Sequence, residues 1–287
     1  MSDDLYQAGT GIATQFKALD GPNVNPACQT RLYTHGHRTE RSLLLLHGFT
    51  NCPQQFDTLG RIFYELGWNV LIPRYPRHGY SDRLTTSIAE LRSDQLIALA
   101  NRAADAAAGV GDHLTVAGLS LGGILTGHLA QTRDIERAVL IAPMFGLMPL
   151  PGAALRGLSL LARGLPNFYI WWNNELKDKI GPPHGYPRFS TRAYAALFET
   201  GARVVRAARR AAPKAGSIAV ITNAAEPRLD NRFTYQLVER WRSHGAVVST
   251  YEFPTSDRLP HDLIDPANPE QKTDLVYPVV VKTIIGD

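Results

Sequence analysis

The sequence lacks long hydrophobic runs and a strong excess of charge of either sign. No stretch approaches the roughly 18 consecutive apolar residues of a spanning helix, so we predict no stable membrane insertion. The 30 Lys and Arg residues exceed the 26 Asp and Glu residues only slightly, which gives no indication of a nucleic-acid partner. With 44% hydrophobic and 20% charged residues, the 287-residue chain has the composition of a folded globular protein.

Cysteine is also scarce, and Cys28 and Cys52 match no zinc-binding spacing. We expect two free thiols in a reducing compartment; the alternative is one disulfide between the N-terminal segment and the loop after Leu46. Residues 1–16 have neither the basic start nor the apolar segment of a signal peptide, so we expect a cytoplasmic location. No metal-binding motif or phosphate loop is present, and we predict no cofactor.

Short runs rich in Val, Ile and Leu alternate with longer amphipathic segments. The runs are residues 42–47, 69–73, 113–118, 137–143, 217–222 and 247–253. Continuous apolar runs are typical of strands buried on both faces of a parallel sheet. The segments between them repeat apolar residues at helical spacing, although Pro278 makes the middle of the last one uncertain. This alternation predicts an α/β fold with a doubly wound, mostly parallel sheet.

Residues 144–190 interrupt the alternation and are rich in Pro, Gly, Trp and Tyr. Because a loop of this length without structure is unusual in a compact domain, we predict a small cap or lid there. Residues 1–143 and 191–287 then form the core. The aromatic residues of the insertion either line an apolar pocket or hold the cap on the core; they include Phe168, Tyr169, Trp171 and Trp172.

A candidate nucleophile, Ser120, lies in the segment "VAGLSLGG" at residues 116–123. An apolar run precedes it and a helical pattern follows, as in a nucleophile elbow, where the serine occupies a sharp turn between strand and helix. Gly118 and Gly122, two positions to either side, let the strand and the helix approach each other. The first amides of the helix favour negative charge at the same place.

A serine nucleophile needs a base and an acid, which follow it along the chain in the order acid, then histidine. Of the nine histidines, His261 in "RLPHDLIDP" is the one that follows the last apolar run. The loop "NAAEPRLDN" between them offers two carboxylates, Glu226 and Asp230. Since Asp230 is placed to cap the next helix, we predict Glu226 as the acid that orients the histidine, with Asp230 as the alternative.

Ester chemistry at a serine also needs two N–H donors for the developing oxyanion. One is predicted at Leu121, directly after the nucleophile. The other is predicted at Phe49, after the turn that ends the first apolar run, because Gly48 lets the main chain swing the next amide into the site.

These motifs together resemble the α/β-hydrolase superfamily, and within it the bacterial carboxylesterases and monoacylglycerol-lipase-like enzymes. The resemblance covers residues 40–285 and rests on "LLLLHGFT", "LIPRYPRHGYSD", "VAGLSLGG", "NAAEPRLDN" and "LPHDLIDP". It implies an α/β-hydrolase fold with a cap, and hydrolysis of carboxylic esters through an acyl-enzyme. We expect the substrate to be a small-molecule ester with an apolar acyl group. Members usually carry Asp where this chain has Glu226, which leaves the identity of the acid open. Amidase, C–C hydrolase and acyltransferase chemistry share this triad and are the alternatives, together with a non-catalytic binding protein.

Overall fold

The computed structural model describes residues 2–146, 166–179 and 181–286, and short strands form its centre. The strands are β1 (Arg31–Tyr33), β2 (Thr39–Leu46), β3 (Asn69–Ile72), β4 (Gly111–Leu119), β5 (Arg137–Ile141), β6 (Tyr169–Trp171), β7 (Arg188–Ser190), β8 (Ser217–Asn223) and β9 (Val248–Phe253). All the predicted apolar runs form strands. Strand β1 was not predicted, because its three residues are only half-buried and form no apolar run.

Seven strands form one sheet in the order β1-β3-β2-β4-β5-β8-β9. Strand β1 pairs with β3 in the antiparallel sense, and the other neighbours are parallel. The prediction of a doubly wound, mostly parallel sheet is therefore confirmed. Its central strands end at one edge, where ligands bind in folds of this kind.

Helices cover both faces of the sheet. They are α1 (Ser2–Ala18), α2 (Asp57–Glu65), α3 (Ser93–Gly109), α4 (Leu121–Thr132), α5 (Thr191–Ala208), α6 (Asn231–Ser243) and α7 (Thr273–Ile285). Helix α7 continues through Pro278, whose missing N–H affects a carbonyl at the exposed start of the helix, at Asp274. None of the described helices combines the length and the hydropathy that a membrane crossing requires.

The hydrophobic core lies in two layers, one on each face of the sheet. Successive residues of β2 alternate between them: Leu44 and Leu46 face the layer that includes α3 and α4, and Leu43 and Leu45 face α2 and α7. All four leucines are fully buried. This two-sided burial is the physical reason that the strand reads as a continuous apolar run.

The N-terminal helix α1, which the sequence analysis did not identify, packs against α3. A Cβ atom at Gly109 would lie 2.6 Å from the Cα atom of Gly9, so the two backbones touch at this point. Only glycine at both positions permits this approach.

Cys28 and Cys52 form a disulfide bond and are completely buried, so the expectation of two free thiols was wrong. The short helical turn Pro26–Cys28 packs beside the turn Pro53–Phe56, which brings the two Cα atoms to 5.2 Å. The pairing also removes the argument for a reducing compartment, since disulfides are rare there.

The predicted insertion at 144–190 lies partly outside the described residues, which omit 147–165 and 180. Its described part contains β6 and β7, which pair in the antiparallel sense. The N–H of Tyr186 donates a hydrogen bond to the carbonyl of Thr50, at 2.7 Å. The insertion therefore contacts the loop that follows β2.

Candidate active site

Ser120 occupies the tight turn between β4 and α4, with φ 57° and ψ −108°. Non-glycine residues rarely adopt a positive φ, and such strain is held by surrounding contacts. Here the Ser120 N–H donates to the carbonyl of Ile141 at 2.9 Å, which ties the turn to β5.

The two glycines of the motif are sterically required. A Cβ atom at Gly118 would overlap the carbonyl oxygen of Gly122, and a Cβ atom at Gly122 would overlap the carbonyl oxygen of Leu46. Helix α4 thus crosses directly over the ends of β2 and β4. The strand-turn-helix geometry predicted from the motif is present, with the Ser120 side chain at the carboxyl edge of the sheet.

His261 and Glu226 are in direct contact. The distance between His261 Nδ1 and Glu226 Oε2 is 2.7 Å, and the Glu226 side chain is only 3% exposed. Burial alone would raise the pKa of the Glu226 carboxyl. The charge and hydrogen bond of His261, with backbone N–H donors at Arg228 and Leu229, outweigh burial, and the pKa lies below its ordinary value. Glu226 is therefore held as a carboxylate facing the imidazole.

The alternative carboxylate, Asp230, is engaged elsewhere. Its side chain caps α6 by accepting the N–H of Arg232 at 3.1 Å, and it also pairs with the Arg232 guanidinium at 2.7 Å. The hydrogen bond from Arg232 lowers the pKa of Asp230. Of the two carboxylates, Glu226 is the one that contacts His261.

The two predicted N–H donors belong to Leu121, which directly follows Ser120, and to Phe49, in the loop after β2. Leu121 is the first residue of α4, so its N–H has no acceptor within the helix. The N–H of Phe49 has no hydrogen-bond acceptor among the described residues. Both residues are buried, and within the described part of the chain both N–H groups remain available as donors.

A pocket of about 300 Å³ opens at this edge of the sheet, and Ser120 and His261 both line it. Its apolar walls include Met144, Trp172, Leu176, Tyr194 and Leu229. The pocket combines a few polar groups with apolar walls, as small-molecule sites do. No cluster of three or more metal-ligating side chains occurs in the described part of the chain.

The model of the alpha/beta hydrolase family matches residues 43–280 of the chain. The chain belongs to the alpha/beta hydrolase family. No curated protein matches its sequence.

Solved structures resemble this hydrolase over most of its length. One of the metagenome-derived lipolytic enzymes LipS and LipT aligns with a TM-score of 0.68 at 18% identity, covering 92% of this chain and 100% of its own. The monoacylglycerol lipase of Paleococcus ferrophilus aligns with a TM-score of 0.64 at 15% identity, over 90% of this chain and 98% of its own. A soluble variant of Saccharomyces cerevisiae monoglyceride lipase gives 0.62 at 14% identity, over 90% of each chain. At such identities the likeness establishes the fold alone.

Two side chains that the sequence analysis missed hold the loop of Phe49 in this hydrolase. His47 is buried; its Nδ1 contacts the carbonyl of Gly48 at 2.9 Å, and its Nε2 accepts the N–H of Tyr75 at 3.4 Å. Burial lowers the pKa of His47 well below its ordinary value, so the ring is neutral. Because Nε2 accepts the Tyr75 N–H, the proton of the ring is on Nδ1. Gln55 fixes the same peptide from the other side by accepting the Gly48 N–H at 2.7 Å.

Gln55 also joins the two halves of the site, because its amide donates to Asp262, the neighbour of His261, at 2.8 Å. Asp262 and Asp265 accept backbone N–H groups of their own loop. The amide nitrogen of Asn51 donates to the other oxygen of each carboxylate, and Asp265 also contacts His184 of the insertion at 2.8 Å.

Burial, and then the charge of Asp265, raise the pKa of Asp262. No local pattern in "NCPQQF" signals these contacts.

The aromatic residues of the insertion differ in their positions. Among those named from the sequence, Trp172 is the one that lines the described pocket. Phe168 is 60% exposed, the Tyr169 hydroxyl donates to a backbone carbonyl of the core, and Trp171 packs against an arginine. Of the two interpretations, pocket lining therefore applies to Trp172, and the other three rings lie outside the lining of the described pocket.

Proposed function

We propose that this alpha/beta hydrolase cleaves carboxylic esters, with Ser120 as nucleophile, His261 as general base and Glu226 as the acid that orients the histidine. The contact between His261 Nδ1 and Glu226 Oε2, in the pocket that Ser120 also lines, carries the proposal. It leaves Nε2 of His261 available to the serine hydroxyl. The lipolytic enzymes among the structural neighbours support an ester as the substrate.

Acylation begins when the Ser120 hydroxyl attacks the ester carbonyl and its proton passes to His261. The carbonyl oxygen becomes an oxyanion, which accepts hydrogen bonds from the amides of Phe49 and Leu121. Glu226 stabilises the imidazolium that has formed. When the tetrahedral intermediate collapses, the C–O bond to the alcohol breaks, and His261 gives its proton to the leaving oxygen. Ser120 then carries the acyl group.

Deacylation repeats these steps with water as the nucleophile. Water gives a proton to His261 and attacks the acyl carbon, and the bond to Ser120 breaks as the serine oxygen recovers the proton. The carboxylic acid leaves, and the chain returns to its starting state without a cofactor. The apolar walls of the pocket favour an apolar segment in the acyl group. We also propose residues 144–190 as the cap over this pocket.

The decisive experiment combines covalent labelling with ester turnover. A fluorophosphonate should label the wild-type chain at Ser120, and p-nitrophenyl butyrate should be hydrolysed. Ser120→Ala and His261→Ala should each lower kcat by roughly 10⁴- to 10⁶-fold while the circular dichroism spectrum stays unchanged. Substantial turnover in either folded variant would overturn the assignment.

A matched pair of variants tests the acid. Glu226→Gln removes the charge that stabilises the imidazolium, and kcat should fall by roughly 10³- to 10⁴-fold. Asp230→Asn keeps a side chain that caps helices equally well, so its fold and its kcat should stay close to wild type. Equal losses in the two variants would refute the choice of Glu226.

A further inference from the structure

The guanidinium of Arg228 lies at the pocket and has no hydrogen-bond acceptor among the described residues. The residue lines the same pocket as Ser120 and His261 and is only partly exposed. Its Cζ atom lies 4.7 Å from the ring centroid of Trp172. Within the described residues, the guanidinium makes no hydrogen bond or ion pair.

Other arginines near the site are used differently. The Arg74 guanidinium, which is buried, pairs with Asp20 at 2.6 Å. Arg83 donates to the carbonyl of Gly185 at 2.7 Å. The N–H groups of a partly exposed guanidinium that lacks such partners are hydrogen-bonded by water. A ligand in the pocket can displace that water and supply the acceptor.

The backbone of Arg228 is fixed relative to the proposed catalytic groups. Its N–H donates to Glu226 Oε1 at 2.9 Å, while the other carboxylate oxygen of Glu226 contacts His261. The Trp172 ring covers one face of the guanidinium and leaves its N–H edges available. An anion in the pocket can therefore bind Arg228 at a constant position relative to the reacting serine.

The other charged groups at the pocket are less suited to this role. Lys179 and Glu270 are exposed to water. Asp262 is already bound by Gln55 and Asn51. Arg228 is thus the partly buried charge at the pocket that has no partner within the described chain.

We propose that Arg228 recognises an anionic group on the substrate, so that the preferred substrates are esters carrying a carboxylate or a similar anion beyond an apolar segment. The planar guanidinium matches a carboxylate with two parallel hydrogen bonds. This inference rests on the proposed ester hydrolysis and names its substrate class. The anion belongs either to the acyl half or to the alcohol half of the ester.

Two pairs of esters test the proposal and separate the two halves. The acyl pair is mono(4-nitrophenyl) adipate and its methyl ester; the alcohol pair is 3-carboxyphenyl butyrate and its methyl ester. For each pair, the ratio of kcat/KM for the anionic ester to kcat/KM for the neutral ester is measured, above the rate without enzyme. We compare wild type, Arg228→Gln, Arg228→Lys and a control, Arg232→Gln, which alters an exposed arginine that pairs with Asp230.

In one pair, the wild-type ratio should exceed the ratio of Arg228→Gln by at least about 10-fold, which corresponds to one well-formed ionic hydrogen-bond pair. Arg228→Lys should lie between them, because it keeps the charge and loses the planar fork. Arg232→Gln should match wild type. The pair that responds identifies the half of the ester that carries the anion.

Ratios that stay equal in wild type and Arg228→Gln for both pairs would overturn the proposal and would assign the stack on Trp172 a structural role. The same conclusion would follow if Arg228→Gln slowed the neutral and anionic esters equally. If wild type hydrolysed none of the four esters and no fluorophosphonate labelled Ser120, the proposed function itself would fail, which is a distinguishable result.

Discussion

The hydroxyl of Thr50 connects the insertion to the loop that carries the Phe49 amide. It donates to the Phe49 carbonyl at 2.6 Å and accepts the indole N–H of Trp172 at 3.0 Å. Thr50 is buried and has a φ of 63°, a conformation that costs a β-branched residue about 1–3 kcal/mol. We expect these two hydrogen bonds to hold the loop in the strained form that presents the Phe49 amide.

Thr50→Val removes the hydroxyl and keeps the size and the branching of the side chain. At about 1 kcal/mol for each hydrogen bond, the variant should destabilise this loop conformation by about 2 kcal/mol. If the whole difference appears in the transition state, kcat falls by roughly 30-fold. Loss of one oxyanion donor, at roughly 10²- to 10³-fold, sets the upper limit.

The assay is kcat and KM on p-nitrophenyl butyrate for Thr50→Val, Trp172→Phe, the double variant and the control Thr50→Ser. Thr50→Ser keeps the hydroxyl and should retain most of the wild-type kcat. Since Thr50→Val and Trp172→Phe break the same hydrogen bond, their combined loss should be clearly less than the product of the single losses. Wild-type kcat in folded Thr50→Val, or fully multiplicative losses, would refute this reasoning.

Two further predictions concern stability. The double variant Cys28→Ser, Cys52→Ser should lower the free energy of unfolding by about 3.5 kcal/mol, the chain-entropy value for a loop that spans a separation of 24 residues. In denaturant titration, wild type in reductant should unfold at the same midpoint as this variant. A wild-type midpoint that does not change in reductant would contradict the prediction. Burial lowers the pKa of His78 to about 4, whereas its value in the unfolded chain is near 6.5. Between these pH values unfolding therefore takes up a proton. The free energy of unfolding should fall by roughly 3 kcal/mol as the pH drops through this window. His78→Phe should show a shallower loss in denaturant titrations between pH 7 and pH 4.5, and an unchanged slope would count against the assignment.

Local sequence patterns predicted the sheet well, because burial on both faces produces a continuous apolar run wherever a central strand occurs. The same patterns missed α1, although its contact with α3 requires glycine at residues 9 and 109. Helix α1 buries only a narrow face, so its apolar signal is weak. The surroundings of Ser120 were predicted because the turn needs its glycines at fixed spacing, and that requirement is local.

Spacing along the sequence does not decide which carboxylate pairs with His261. Glu226 and Asp230 lie four positions apart in one loop, and their spacing from the strand does not distinguish them. The path of the loop does: it turns Glu226 toward His261, while Asp230 caps α6 and pairs with Arg232. Asp230 directly precedes the helix, so its capping role is predictable from the local sequence and favours the same choice.

The sequence by itself determined the parallel strands of the sheet, the turn at Ser120 and the order in which serine, carboxylate and histidine follow one another. Tertiary structure alone decided that Cys28 and Cys52 are bonded, and that the Thr50 hydroxyl meets an indole 122 residues away. The physical reason is one of range: strand burial and turn geometry act between near neighbours in the chain. The contacts at the carboxyl edge of the sheet join loops whose meeting depends on how every strand is ordered.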